Sequence, residues 1–117
     1  MIKRLTLIYR KDGMTVEQFR THWREVHGPL AARTAGLRRY VQHHVVGSRS
    51  PSSVLRPDGI AELWFDSEED EQQFFASELG RMQREDGRTF VGFSTTFIVE
   101  DHEFDLSAHA PGQGDPS

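Results

Sequence analysis

Phe19-Arg-Thr-His-Trp-Arg-Glu-Val-His-Gly-Pro-Leu-Ala31 is the most informative stretch of this chain, because it has the pattern of an amphipathic helix. Residues three and four apart lie side by side on a helix. The face defined by that spacing carries Phe19, Trp23, Val26 and His27. We therefore expect His27 to point inward beside Trp23, and Gly28-Pro29 to end the helix.

The imidazole of His27 has two interpretations. A titratable side chain on an otherwise core-facing stripe is typical of a functional site. A histidine in the last helical turn also interacts favourably with the carbonyl end of the helix, as a structural cap. The residues alone leave both interpretations open.

Strand signals surround this helix. Apolar residues at period two, beginning with Leu5, Leu7 and Tyr9, are typical of a half-buried strand. The expected strands cover residues 2–10, 37–46, 60–65 and 93–99. Alternation along the second strand separates its side chains into two faces: Tyr40, Gln42, His44 and Val46 on one, and Val41, His43 and Val45 on the other.

Two capping signals mark where helices begin. Thr15 and Gln18 form a capping box ahead of the first helix. Asp66-Ser67 precedes the second helix. Its buried side is expected to carry Phe74, Phe75, Leu79 and Met82.

The order β-α-β-β-α-β predicts an α+β, ferredoxin-like fold. Such a fold is a four-stranded antiparallel sheet with both helices on one face. We expect one folded domain over residues 1–104 and a flexible C-terminal tail over residues 105–117, where glycine and proline accumulate. The segment 47–59 is a long loop.

The second strand is apolar on both sides, with Val41 and Val45 opposite the face of Tyr40 and Val46. Helices can cover only one side of the sheet. A second copy of the chain, packed sheet to sheet, is the simplest cover for the other side, so we expect a homodimer.

Composition excludes several classes of protein. The chain has 117 residues, a net charge of −4 and no cysteine. The negative net charge gives no basic surface for binding nucleic acid or an anionic membrane. The absence of cysteine rules out disulfides and cysteine nucleophiles. No apolar run approaches the roughly 20 residues of a membrane span. The apolar start of the chain is too short for a signal peptide, so a cytoplasmic protein is expected.

No metal site or cofactor is expected. On an α-helix His22 and His27 would lie about 140° apart, too far around the axis to share a ligand cluster. His43 and His44 point to opposite faces of a strand. The chain has no HExxH motif and no glycine-rich nucleotide fingerprint, which disfavours NAD- and flavin-dependent enzymes.

Three segments together resemble the EthD family. They are Phe19 to Ala31, Gly36-Leu-Arg-Arg-Tyr-Val-Gln-His-His44 and Asp58-Gly-Ile-Ala-Glu-Leu-Trp-Phe-Asp-Ser67. The resemblance covers about residues 1–104 and implies a dimeric α/β barrel, in which two ferredoxin-like protomers press their sheets together. This agrees with the argument from the two-sided strand.

The resemblance also implies chemistry. Relatives include muconolactone-type isomerases and polyketide-tailoring cyclases, dehydratases and decarboxylases, and wider superfamily members bind haem or oxidise quinols. In the methylmuconolactone isomerase branch a helix-end histidine and a strand-2 tyrosine belong to the active site, and the matching positions here are His27 and Tyr40. This chain lacks that branch's cysteines, which argues against the same substrate.

These side chains suit cofactor-free acid–base chemistry. His27 would be the base and Tyr40 the donor to a substrate oxygen, because imidazole is poised near neutrality and a phenol can stabilise an enolate. The candidate substrate-binding residues are Trp23, His44, Glu62 and Trp64. Tyr40 and Trp64 are also compatible with core packing, and Glu62 with an ordinary solvated strand carboxylate.

Three functions follow. The first is a cofactor-independent enzyme that cyclises, isomerises, dehydrates or decarboxylates a small apolar oxygenated substrate, such as an aromatic polyketide or a lactone. The second is a non-catalytic accessory protein that binds such a ligand for an oxidative degradation or biosynthetic pathway. The third is a haem- or quinol-linked oxidoreductase.

Overall fold

The computed structural model describes residues 1–109 and has an α+β, ferredoxin-like architecture, as predicted. Four antiparallel strands form one sheet in the order β2-β3-β1-β4. The strands are β1 Ile2–Arg10, β2 Leu37–His44, β3 Gly59–Phe65 and β4 Val91–Val99. The helices are α1 Val16–His22, α2 Gly28–Ala32, α3 Glu68–Ala76 and α4 Glu78–Phe90, with a π-helical turn Trp23–His27 between α1 and α2.

The first helix begins at the predicted capping box. The Thr15 hydroxyl accepts from the Gln18 backbone N–H at 3.0 Å, and the Gln18 side chain accepts from the Thr15 N–H at 2.9 Å. Two of the free donors at the helix start are thereby satisfied.

The prediction that Gly28-Pro29 ends this helix is wrong. The chain stays helical through the π turn into α2, which ends at Ala32. The Gly28 N–H donates to the Trp23 carbonyl, five residues back, as in a π-helix. Pro29 then lies in the first turn of α2, where a missing N–H costs little.

The π turn also explains why one expected core residue is exposed. Val26 is 50% exposed, whereas Trp23 is 1% exposed. A wider turn advances each residue by a smaller angle than an α-helix does, so Val26 rotates outward and His27 becomes the next inward-facing side chain.

The second predicted helix is two helices, each with its own serine cap. Ser67 accepts from the Asp70 N–H, and Ser77 accepts from the Gly80 N–H. Phe74 is buried as predicted, but Met82 is 38% exposed. The extended backbone at Ser77 restarts the helix in a new phase, which turns Gln83 inward in place of Met82.

Strand β2 ends two residues earlier than predicted, and Val46 beyond it is 85% exposed. Its two faces are as expected. Gln42 bonds Trp23 in the helix layer, and His43 bonds Glu62 on the other side of the sheet.

The core lies between the sheet and the helices. Its buried side chains are Ile8, Phe19, Trp23, Ala61, Leu63, Phe65, Phe74 and Phe90. We call the opposite face of the sheet the outer face. On β1 its side chains are those at the positions that alternate with Ile8, and on the other strands they are the residues paired with those positions. On β1 and β4 the outer face carries Leu5, Leu7, Tyr9, Phe93 and Phe97. Phe93 is 57% and Phe97 52% exposed.

The predicted flexible tail begins with one described turn of 3₁₀ helix, Leu106–His109. Residues 110–117 lie outside the described part of the chain, so the flexibility of the tail remains a prediction. None of the helices within residues 1–109 combines the length and apolar character needed to cross a membrane.

Candidate active site

Two adjoining cavities lie between the sheet and the helix layer. The inner cavity, about 180 Å³, is lined by Trp23, His27 and Tyr40 together with sheet residues. The outer cavity, about 360 Å³, extends from it toward the end of α4. Both are lined by Thr6, Ile8, His27 and Arg84. His27 therefore stands at the junction of the two spaces.

One carboxylate orients His27. Asp86, on α4, lies with Oδ2 2.8 Å from the Nδ1 of His27. A carboxylate accepts hydrogen bonds, so the Nδ1 atom carries the proton in this pair and the lone pair is left on Nε2. The imidazole is thus held in the tautomer that can accept a proton from a ligand.

The same carboxylate binds a second histidine, since Asp86 Oδ1 lies 2.9 Å from His22 Nε2. The expected separation of about 140° between His22 and His27 does not hold in the folded chain, where both rings contact Asp86. It assumed an α-helix, whereas the π turn brings residues five apart onto one face. Across the described residues, no group of three or more histidine, cysteine or acidic side chains is arranged to hold a metal ion.

Burial lowers the pKa of His27 from its ordinary value of 6.5. The hydrogen bond and the charge of Asp86 act in the opposite direction, and His22 adds to the lowering. Removal of the ring from water disfavours the imidazolium ion. The ring is flanked by Phe90 at 5.1 Å between centroids, which contributes to this apolar surrounding. His27 is therefore neutral at pH 7, as a base requires.

A hydrogen-bond chain along β2 positions Tyr40. The Gln42 side-chain amide donates to the Tyr40 hydroxyl at 2.8 Å and to the Trp23 carbonyl at 2.9 Å. Its oxygen accepts from His44 Nε2 at 2.9 Å. Because Gln42 donates to the phenol oxygen, the phenol proton is left for a partner in the cavity. Burial raises the pKa of Tyr40 above 10.0, so the proton is retained at neutral pH.

Trp23 and His44 have different places in this arrangement. Trp23 lines the inner cavity. His44 packs against Trp23 with 4.6 Å between ring centroids and a tilt of 41°, and it bonds Gln42 without lining either cavity. A Cβ atom at Gly59 would overlap the Trp23 indole, so a glycine is required where β3 passes under this ring.

Glu62 and Trp64 lie on the outer face of the sheet, away from the cavities. Strand alternation places them there, because their neighbours Ala61, Leu63 and Phe65 fill the core. The Trp64 indole donates to Glu62 at 2.6 Å, and this bond is the main reason that the pKa of Glu62 is lowered. Neither side chain can contact a ligand held by His27 in the same protomer.

Four residues of the site were missed by sequence analysis: Arg4, Gln42, Arg84 and Asp86. Arg84 and Asp86 belong to α4 and follow Met82, the last residue that sequence analysis assigned to the second helix. The serine at position 77 is the signal that a second helix follows. Arg4 and Gln42 are ordinary polar strand residues whose partners are visible only in three dimensions.

Comparisons with known proteins agree with this architecture. The model of the EthD domain family matches residues 11–94. A protein from Pseudomonas reinekei named 4-carboxymethyl-4-methylbutenolide mutase is 33% identical over 106 residues, which is 86% of this chain and 98% of that protein.

Solved structures with the same fold include an EthD family protein from Bacillus halodurans, with TM-score 0.71 and 26% identity over 87% of this chain and all of that one. A dimeric ferredoxin-like protein from Bacteroides fragilis aligns with TM-score 0.66 over 86% of this chain and 95% of that one; at 13% identity it shows the fold alone. The family match and the mutase similarity together establish that this chain belongs to the EthD domain family.

Proposed function

We propose that this protein is a cofactor-independent enzyme of the isomerase type that moves a proton on a small lactone. The observation that carries the proposal is the hydrogen bond that His27 Nδ1 donates to Asp86. This bond leaves the Nε2 atom of the neutral imidazole unprotonated, and His27 lines the same cavity as Tyr40. A base and a hydrogen-bond donor beside one apolar space are the groups that proton transfer next to a carbonyl needs.

The proposed reaction starts with His27 Nε2 taking a proton from the ring carbon that is conjugated with the lactone carbonyl through the carbon–carbon double bond. The electron pair of the broken C–H bond passes into an enolate, whose oxygen accepts a hydrogen bond from Tyr40. Asp86 stabilises the imidazolium ion that forms. His27 then returns the proton to another carbon of the conjugated system, which restores the neutral imidazole and shifts the double bond.

The mutase from Pseudomonas reinekei supports a lactone as the substrate, because it is similar over nearly its whole length. The name of that protein describes an unsaturated lactone with a carboxymethyl arm. An aromatic polyketide remains the alternative substrate class, with the same two residues in the same roles.

We also propose that the protein is a homodimer whose protomers meet through the outer face of the sheet. The exposed rings of Phe93 and Phe97 support this, since they extend an apolar surface that includes Leu5 and Leu7. An uncovered apolar face of this kind is typical of a subunit interface.

Deuterium exchange tests the catalytic proposal. 4-Carboxymethylbutenolide, which keeps a hydrogen on the ring carbon that His27 would deprotonate, is incubated with the protein in D₂O, and NMR follows incorporation of deuterium next to the carbonyl. We expect exchange with the wild type and a roughly 100-fold or greater loss with His27→Gln, the size of a general-base contribution. Ligand binding should survive in this variant.

The other functions give different results. Binding without exchange by the wild type would indicate the non-catalytic accessory protein. Undiminished exchange by His27→Gln would exclude His27 as the base. A Soret band in the purified protein would point to the haem-linked class.

A further inference from the structure

The charged side chains that line the two cavities are all of one sign. The inner cavity is lined by Arg4 and Arg84, and the outer cavity by Arg84 and Arg88. No aspartate or glutamate lines either cavity. The chain as a whole has 18 acidic against 14 basic residues, so the cavities are cationic spaces in an acidic protein.

Arg84 is the central member of this group, because it lines both cavities as His27 does. One of its guanidinium nitrogens donates to the backbone carbonyl of Phe75, at the end of α3. That bond fixes the side chain without neutralising its charge. Within residues 1–109 no carboxylate lies within salt-bridge distance of Arg84 or Arg88.

Arg4 is held differently. It donates to Glu71 at 3.2 Å and its guanidinium lies 4.3 Å from the centre of the Phe75 ring. Its charge is therefore largely balanced by a protein carboxylate. The uncompensated charge of the inner cavity belongs to Arg84, which lines both cavities together with His27.

We infer that Arg84 is an anion-binding residue that selects substrates with a carboxylate, and that it holds this carboxylate where the two cavities meet. The inference rests on the proposed function for the identity of the ligand's ring, a lactone. The preference of Arg84 for a charged ligand is a binding property that requires no turnover. The planar fork of a guanidinium matches the two oxygens of a carboxylate. The ring of the ligand then lies against Trp23 and Tyr40 in the inner cavity, and its acidic arm points toward the outer cavity.

The inference narrows the substrate class. The family resemblance leads to the expectation of an apolar oxygenated ligand. The cavity walls favour an acid instead, because Arg84 and Arg88 are exposed in a cleft lined by one sign of charge, and such a cleft concentrates ions of the other sign. A neutral polyketide would leave this charge unpaired in the cavity.

Calorimetric titration with matched acid and neutral probes tests the inference. The probes are 4-carboxymethyl-4-methylbutenolide and its methyl ester, and phenylacetate and phenylacetamide. With the wild type we expect each acid to bind at least about tenfold more tightly than its neutral partner, the effect of one hydrogen bond to a charged group. In Arg84→Gln this preference should disappear while the neutral probes bind as before, and Arg84→Lys should restore part of it.

Arg81→Gln is the matched control, because it removes the same charge from the same helix. Arg81 is exposed and pairs with Glu78 and Glu85, outside both cavities. We expect no change in acid preference. Equal binding of acids and neutral probes by the wild type, loss of acid preference in Arg81→Gln, or no binding of either acid up to millimolar concentration would overturn the inference.

His27→Gln separates this inference from the proposed function. Its acid preference should equal that of the wild type, even though exchange is lost. If the acid preference holds and the wild type catalyses no exchange, the anion site stands and the proposed reaction fails. If exchange proceeds equally with 4-carboxymethylbutenolide and its methyl ester, the reaction stands and the anion site fails.

Discussion

Asp86 binds two imidazoles, one through each oxygen of its carboxylate, and this sets the properties of the candidate base. It supports proton uptake at His27, while burial and His22 oppose it. These influences have opposite signs, so replacing Asp86 and replacing His22 should shift the pKa of His27 in opposite directions.

Asp86→Asn should lower the pKa of His27 further, because it removes the groups that favour the imidazolium ion. Deuterium exchange should fall by roughly 100-fold or more, because the variant lacks the carboxylate that fixes the tautomer of His27 and stabilises its imidazolium ion. NMR titration of the imidazole gives the pKa, and the lactone assay gives the rate.

His22→Asn is the matched control for Asp86→Asn. It leaves the bond between Asp86 and His27 and removes a neighbouring histidine that lowers the pKa of His27. The pKa of His27 should therefore rise. A shift in the same direction in both variants would contradict the assignment of their roles.

The pH profile of kcat/KM should be bell-shaped and wide. His27 must be neutral to accept a proton, and its pKa is lowered, so activity should decline only below pH 6.5. Tyr40 must keep its proton, and its pKa is raised, so the alkaline decline should lie above pH 10.0. Steady-state rates across this range check both limits, and an acid decline centred above pH 6.5 would contradict the effect of burial.

At the scale of elements, the π turn and β2 are fitted together at Gly28. A Cβ atom there would lie 2.7 Å from the Gln42 amide nitrogen, the atom that donates to Trp23 and Tyr40. Only a glycine leaves room at this point for the Gln42 side-chain amide to reach the backbone carbonyl of Trp23.

Gly28→Ala should destabilise the protein by about 1–3 kcal/mol if one hydrogen bond of Gln42 is lost. The gain in helix propensity is about 1 kcal/mol. The cost of overpacking is roughly 1–3 kcal/mol, and each lost hydrogen bond adds about 1 kcal/mol. Urea unfolding measures the change in the free energy of unfolding.

Gly87→Ala is the control on α4, because a Cβ there meets no atom within 4 Å. Helix propensity alone should then stabilise the protein by about 0.5–1 kcal/mol. Equal stabilisation by both alanines would show that Gln42 adapts without loss.

At the scale of the whole molecule, the outer face of the sheet predicts the assembly. Phe97 lies on the outer face, and the next residue, Ile98, lies on the helix side of the same strand. Both are more than half exposed, at 52% and 62%. Phe97→Asp should shift the proposed dimer to monomers, because a buried unpaired charge is costly at an interface.

Ile98→Asp should leave the dimer intact, and sedimentation velocity at micromolar concentration distinguishes the two species. A wild-type monomer, or dissociation by both variants alike, would contradict an interface through the outer face.

Much of the fold was predictable because its signals are local. Period-two patterns located all four strands, and the pairing of Thr15 with Gln18 located the first helix. The same alternation correctly separated Tyr40 and Gln42 from His43. It also placed Glu62 and Leu63 on opposite faces of β3. It could not show that Glu62 lies away from His27, because this depends on which face of the sheet the helices cover.

The sequence by itself determined the order of the strands, the helix caps at Thr15 and Ser67, and the alternation of strand faces, because hydrogen bonding and side-chain direction within one element depend on neighbours along the chain. Only the tertiary structure decided the partner of His27 and the charges around it. Asp86 is 59 positions from His27, and the two meet because α4 packs against the π turn. The identity of that partner depends on distance in space, which the spacing of residues along the chain does not encode.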